Sequence, residues 1–242
     1  MAKIFVTGSA DGLGQMTAQK LTDQGHRVVL HARNAQRKAY AQKKVAGAER
    51  VLVADLSEKE EVFALAEEVN ALGSFDSIIH NAGVYHTSGD LILSVNTLAP
   101  YMLTCLIQKP ERLIYLSSQM HLHGDSNPDK MDQGQVSYSD SKLHDLILAK
   151  AVARLWPEVY SNAVHPGWVA TKMGGTGAPD NLQKGIETQV WLATGDDARV
   201  TGRYYFHRKE ARYLKEADDA NLQNRFLEKC EQITGVRFPG YP

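Results

Sequence analysis

The chain has 242 residues, with 27 Lys and Arg against 28 Asp and Glu, a formal net charge of −1. That balance gives no overall attraction for nucleic acid or an anionic membrane. Only two cysteines occur, Cys105 and Cys230, with no Cys-x-x-Cys pair, so neither a disulfide framework nor a metal site is expected. No apolar run approaches the ~20 residues that span a bilayer. The N-terminus enters a strand pattern directly, which leaves no signal peptide and points to a soluble, cytoplasmic protein. The length suits one α/β domain over residues 1–242.

The first strand is expected at Lys3–Thr7. It meets the turn Gly8-Ser9-Ala10-Asp11-Gly12-Leu13-Gly14, after which a helix fits Leu13–Gln24. Strand, glycine turn and helix in that order form a dinucleotide entry: the glycines let the backbone approach a pyrophosphate, which sits on the helix N-terminus. The spacing is Gly-x-x-x-Gly-x-Gly. A second strand, Arg27–His31, runs into Ala32-Arg33-Asn34, and no acidic residue occurs from Gln24 through Ala48. An acid at the end of this strand would bond a ribose 2′-hydroxyl. Ala32 takes its place, and the guanidinium of Arg33 suits a 2′-phosphate, with Arg37 and Lys38 on a solvated helix face nearby. The reading is NADP, with NAD less favoured.

Farther along, a helix fits Ala35–Lys44, a strand Arg50–Ala54 and a helix Glu58–Ala71, the last with Ser57 as cap and Glu60 completing a capping box. Strands follow at Ser77–His80, Arg112–Leu116, Val159–Val164 and Arg203–Phe206, with helices at Ser94–Ile107, Ser137–Leu155 and Asn181–Ala193. Alternating strands and helices predict a doubly wound parallel sheet of about seven strands, a Rossmann fold with helices on both faces. The loop Gly174–Pro179 is rich in glycine and has the composition of a lid or a plain connection. On the helix from Ser137, Tyr138 and Lys142 lie four positions apart and share one face. A neighbouring ammonium lowers a phenol's pKa toward neutrality, where it can exchange a proton with substrate.

Taken in order, Thr7-Gly8-x-x-x-Gly12-x-Gly14, Asn81-Ala82-Gly83, Ser118, Tyr138-x-x-x-Lys142 and Pro166-Gly167-x-x-x-Thr171 resemble the short-chain dehydrogenase/reductase family. Leu116-Ser117-Ser118, Ser141-Lys142-Leu143 and Val164-His165-Pro166-Gly167 look like its retinol-dehydrogenase-like branch. The resemblance implies four catalytic residues, Asn96, Ser118, Tyr138 and Lys142. Tyr138 would protonate a carbonyl oxygen that Ser118 also bonds, Lys142 would bond the nicotinamide ribose, and Asn96 would hold a relaying water. Ser117 is the alternative to Ser118.

For the cofactor the resemblance implies Gly8, Ser9, Asp11, Gly12, Leu13 and Gly14 at the pyrophosphate. Asp55 and Leu56 lie at the adenine, Asn81, Ala82 and Gly83 beside the adenosine, and Pro166, Gly167, Val169 and Thr171 at the nicotinamide. Tyr138 and Lys142 also face it. Trp168, Met173, Tyr85, Met120 and His121 would line a pocket for a small-molecule carbonyl or alcohol, and His165 would set the turn before Pro166. His80, His86, His121, His123 and His165 lack metal-ligand spacing. The interval from Ser118 to Tyr138 is long, as in that branch. The interval from Asn96 to Ser118 is short, which trims a helix that many relatives use to dimerise, so a monomer or atypical homodimer is expected. The competing readings are a catalytically silent nucleotide-binding sensor or scaffold, and an extended-branch epimerase, whose larger C-terminal domain this length does not hold.

Overall fold

The computed structural model describes residues 1–241. Its sheet is built from β1 (Lys3–Val6), β2 (Arg27–Ala32), β3 (Arg50–Val53), β4 (Ser77–His80), β5 (Arg112–Leu116), β6 (Tyr160–His165), β7 (Tyr204–Phe206) and β8 (Lys209–Glu210). The strand order is β3-β2-β1-β4-β5-β6-β7-β8. Neighbours pair in parallel through β7, and β8 returns antiparallel, Phe206 opposite Lys209. Every residue of β1, β4 and β5 is buried, as strands covered on both faces must be. Chain direction across the sheet reverses between β1 and β4, and the crevice beyond their carboxyl ends is where such sheets take ligands.

Helices α1 (Gly12–Asp23) and α2 (Ala35–Lys44) lie on one face, joined later in the chain by a helix at Leu182–Thr194. Ala18, Leu21, Ala41, Val190 and Leu192 of these helices pack against Ile4, Val6, Val28 and Leu30. The opposite face carries α3 (Lys59–Ala71), α4 (Gly89–Ile92), α5 (Ala99–Leu106) and α6 (Tyr138–Leu155), packed over Phe5, Val29, Ile78, Leu113 and Tyr115. The helix at Leu182–Thr194 is α7, and α8 (Ala220–Thr234) closes the chain. No helix among the described residues is long and apolar enough to cross a membrane.

The doubly wound sheet stands as the sequence predicts, with most strand ends within one residue. Three expectations are corrected. The helix expected over Ser94–Ile107 is not α throughout: α4 runs on through a π-helical stretch, Leu93–Leu98, into α5. The capping box at Ser57 and Glu60 does not form, because the Ser57 hydroxyl donates to Asp55 Oδ1 at 2.7 Å and Glu58 becomes the cap residue, without a side-chain bond. A capping box forms instead at α6, where Asp140 N donates to Ser137 Oγ (3.1 Å) and Ser137 N donates to Asp140 Oδ2 (2.8 Å).

The third correction is α8, for which no helix was expected. It packs on α6: Arg154 Nε donates to Gln223 Oε1 at 2.7 Å, and the His144 and Phe226 rings lie 5.2 Å apart. The segment after it continues the cover, with Tyr101 donating to the Val236 carbonyl (2.7 Å) and Trp156 against Phe238 (4.7 Å between rings). Every residue of α6 from Asp140 through Val152 is buried as a result. The long interval before α6 holds two 3-10 turns, Gln119–His123 and Pro128–Gln133. Lys229 of α8 pins the second through Asp132 at 2.6 Å.

Candidate active site

The glycine turn is held from three sides. Gly8 and Gly12 have φ of 61° and 54°, values that favour glycine. A Cβ on Gly8 would lie 2.8 Å from Ala82 Cα, and one on Gly14 would strike the Asn81 amide. Asn81 accounts for that closeness: its Nδ2 donates to the carbonyls of Thr7 (2.9 Å) and Gly8 (3.1 Å). The backbone N–H groups of Asn81 and Ala82 both donate to Thr7 Oγ1 at 3.0 Å. Ser9 ties the turn to β2, donating to the Val6 carbonyl (2.8 Å) and accepting from His31 N (2.9 Å).

His31, which the sequence reading passed over, completes the fastening. Its Nδ1 accepts from Gly8 N at 3.0 Å and its Nε2 lies 2.9 Å from the Ala54 carbonyl, so the ring proton belongs on Nε2. Burial keeps this imidazole below its ordinary pKa and neutral. A histidine in the middle of an apolar strand, one turn from the glycines, was the available signal.

Asp11 caps α1, accepting from Gly12 N at 2.8 Å, and pairs with Lys172 (2.6 Å) and Arg37 (3.2 Å). Burial works against its charge, but the bonds from Lys172, Gly12 N–H and Arg37 outweigh this and hold the carboxyl below its usual range. Arg37 is therefore engaged at the turn and not simply solvated. Leu13 packs toward Gly185 of α7. A cleft of about 440 Å³ opens beside Gly12, between Asp11, Gln15 and Met16 on one wall and Thr171, Lys172 and Leu182 on the other. Ala32 ends β2 buried, and Arg33 follows it exposed. The Asp55 carboxylate accepts from its own turn, at Ser57 N (3.0 Å) and Oγ, while Leu56 is core.

The end of β5 and the start of α6 bring the remaining residues together. The two serines divide by partner. Ser117 is buried and its hydroxyl donates to the Lys142 carbonyl at 2.6 Å, whereas Ser118 is half-buried, caps the next turn through Met120 N (3.2 Å) and lies close enough to favour the Tyr138 phenolate. Tyr138 directs its hydroxyl toward Met173 Sδ at 3.9 Å, and the Lys142 ammonium stands 5.5 Å from its ring centre. Lys142 Nζ donates to the Leu116 carbonyl and to Asp145 Oδ2, both at 2.8 Å. Asn96 sits in the π-helical stretch, fully buried, accepting from Val84 N (2.7 Å) and donating to the Val84 carbonyl (3.0 Å) and Ser141 Oγ (3.1 Å). A Cβ on Gly83 would come 3.4 Å from Asn96 Oδ1 and 3.7 Å from Lys142 Nζ, so Gly83 keeps the space between them open.

The phenol corrects one expectation. Burial is the largest influence and raises the Tyr138 pKa; Lys142 pulls it down, while Asp145 and Tyr85 push it up, and the net shift is upward. Burial is the main reason that Lys142 does not prevail, and Asp145, absent from the sequence reading, adds to it.

Across the crevice, His165 Nδ1 accepts from Gly167 N at 3.2 Å, a bond that spans Pro166. Asp180 Oδ2 accepts from Trp168 N (2.6 Å) beneath Gly167, whose φ is 91°. Val169 is buried against Gly185. The Thr171 methyl faces Gly12, and its Oγ1 accepts from Gly174 N at 3.2 Å. Trp168, Met173 and Met120 are among the few exposed large apolar side chains, 59%, 42% and 38% accessible, and Tyr85 stacks 4.5 Å from Tyr138. His121 does not join them. Its ring is buried, bonded between the Ser118 carbonyl (2.6 Å) and Leu214 N (3.3 Å) and packed on Tyr204.

A glycine cradle at a helix N-terminus, open to a cleft and flanked by Thr171, fits a dinucleotide phosphate. Comparison with known proteins agrees. The model of the short chain dehydrogenase family matches residues 2–181. An oxidoreductase of Emericella nidulans is 44% identical, with 99% of this chain and all of the relative covered. Human retinol dehydrogenase 14 is 26% identical over 96% of this chain and 86% of its own. A crystal structure of a Mycobacterium paratuberculosis protein superposes with a TM-score of 0.85 at 23% identity, covering 99% and 95% of the two chains. The chain belongs to the short-chain dehydrogenase/reductase family, in its retinol-dehydrogenase-like branch. It is an oxidoreductase of a family that works with a nicotinamide cofactor.

Proposed function

We propose that the protein is an NADP-dependent oxidoreductase moving a hydride between nicotinamide and a small, fairly apolar carbonyl or alcohol. It would act as a single dinucleotide-binding unit over residues 1–242, with Tyr138 as general acid and base. The observation that carries this reading is the convergence of Ser118, Tyr138 and Lys142 on one crevice beside the glycine turn, with Ser117 turned away onto the Lys142 carbonyl. In reduction a bound nicotinamide supplies the hydride to the carbonyl carbon. Tyr138 gives its proton to the oxygen, and Ser118 bonds that oxygen as negative charge builds on it. Lys142 holds the ribose and stabilises the phenolate left behind, and Asn96 holds the water that returns a proton.

Gly8, Gly12 and Gly14 cradle the pyrophosphate; Val169 and Thr171 secure the carboxamide. The exposed Arg33 takes the 2′-phosphate, in a position no acid contests. Trp168, Met173, Met120 and Tyr85 give an apolar, partly aromatic mouth, in keeping with an apolar substrate. Cys105 and Cys230 are unpaired, in keeping with the reducing cytoplasm. The chain would act as a monomer or an atypical homodimer, a reading supported by α8 packing on α6.

The test is NADPH oxidation against a panel of aldehydes, ketones and quinones. Turnover with one of these classes, lost in Tyr138→Phe, is the expected result. No turnover with any class, despite tight NADPH binding, would favour the silent nucleotide-binding reading.

A further inference from the structure

Thirteen consecutive residues of α6, Asp140 through Val152, are buried, and within that run an acid, Asp145, stands three positions past Lys142. Their side chains are 4% and 6% accessible and 2.8 Å apart. An ammonium has three donors. One goes to Asp145 and one to the Leu116 carbonyl at the end of β5. The third is left for the open space beside Gly83, where a Cβ would come within 3.7 Å of the nitrogen. The carboxylate therefore fixes the direction in which the lysine offers its remaining bond.

We propose that Asp145 is a positioning residue: its carboxylate anchors the Lys142 ammonium and screens part of that charge from Tyr138, so that the phenol stays protonated and the site is set to deliver a proton to a carbonyl. This builds on the reading of Tyr138 as the acid. Removing a buried negative charge near a phenol favours the phenolate; keeping it there favours the phenol, the form that reduction consumes. An acid kept in a buried helix run is costly unless its partner is close, and here the partner is the lysine of the site itself.

Burial and Tyr85 also raise the Tyr138 phenol, but of these groups only Asp145 holds the Lys142 ammonium. Burial pushes the Asp145 carboxyl up to about 6, with Lys142 pulling it down, so it is mostly ionised at neutral pH. Burial lowers the Lys142 pKa, but Asp145 and Tyr138 outweigh it, and the ammonium is held above its ordinary value. From β5, Tyr115 faces Asp145 with its phenol pushed far up by burial and its oxygen 2.8 Å from Thr104 Oγ1. His80 of β4 stacks on that ring and is neutral, brought down to about 3 by burial. From the loop after β4, Tyr85 faces Tyr138 and adds to its upward shift. Tyr115 and His80 are uncharged at neutral pH, so neither stands in for the Asp145 carboxylate.

The experiment is a titration of ligand-free protein, following phenolate absorbance in the near ultraviolet. Subtracting the Tyr138→Phe form of each background isolates Tyr138 from the other nine tyrosines of the chain's 10. Asp145→Asn keeps the shape and an acceptor for Lys142 but not the charge. Its Tyr138 midpoint should fall by about one pH unit, the scale of one charge at this range in a protein interior. The pH midpoint of its alcohol oxidation should fall by a similar amount. An unchanged or higher midpoint overturns the proposal. Asp145→Ser also lacks the charge and gives the same reading should the Asn variant not fold. The titration reads the coupling whether or not the protein turns over, so its failure is separable from that of the NADPH assay.

Discussion

Tyr138→Phe keeps the ring that packs against Tyr85 and deletes only the ionisable oxygen, so kcat should fall by roughly 10²-fold or more while NADPH affinity, followed by fluorescence, changes little. Wild-type turnover in that variant would remove Tyr138 from the mechanism. The two neighbouring serines should separate cleanly. Ser118→Ala should lose about 10- to 10³-fold in kcat through one missing donor. Ser117 is committed to the Lys142 carbonyl, so Ser117→Ala should appear as about 1 kcal/mol of lost stability in denaturant unfolding with turnover nearly intact. At the nucleotide end, a charge-assisted pair between Arg33 and a 2′-phosphate contributes roughly 1.5–3 kcal/mol, a preference of about 10- to 150-fold for NADPH. Arg33→Ala should erase most of it; equal kcat/KM for NADPH and NADH in the unmodified protein would place the Arg33 side chain in solvent. The glycines and the Tyr138–Lys142 pair were readable because each rests on local spacing. Asp145 was not, although an acid three positions past a lysine on a helix is a standard contact: nothing local says that both are buried, and burial is what turns a surface pair into a tuning charge.

The α8 helix is the element that covers α6 from outside. Gln223, Phe226 and the following Val236 and Phe238 occupy the outer faces of α5 and α6, the region many relatives use for pairing. Light scattering at micromolar concentration should therefore give the mass of one chain, or of a dimer built on another surface, and a stable tetramer would contradict the expectation. Phe226 is 1% accessible, so Phe226→Ala should cost about 3–5 kcal/mol, read as a lower unfolding midpoint. The sequence held this helix in plain form: Leu222, Phe226, Leu227 and Cys230 recur at helical spacing, Asp219 caps the start, and Gly235 ends it with φ of 74°. It was missed because the alternation of strands and helices that guides the assignment ends at Arg203–Phe206. The capping box shows the converse. Ser57 with Glu60 and Ser137 with Asp140 have the same local form, and the choice fell to a competing bond from Ser57 to Asp55.

Over the whole molecule, several histidines are held uncharged, His80 and His144 buried and His165 half-buried. Burial brings His80 to about 3 and His144 and His165 to about 4, against about 6.5 when unfolded. The unfolded chain thus binds more protons below pH 6.5, and stability from these sites is complete above that pH and drains away as pH falls toward 4. Asp145, raised to about 6, acts in the opposite sense between pH 6 and 4 but is one group against three. Tm should fall by roughly 5–15 °C from pH 7 to pH 5; a flat Tm over that range would mean that these rings are hydrated. The buried α6 has a further consequence, in the order of synthesis. Its partners at 222–238 are made after a further ~70 residues, several seconds of elongation at the usual ~5–20 residues per second. During that interval the six strands through β6 can already pair, yet the outer face of the helix that carries Tyr138 and Lys142 has nothing to cover it. A nascent chain in that state offers an apolar surface to chaperones, and the reactive pair acquires its final setting only when the last helix docks.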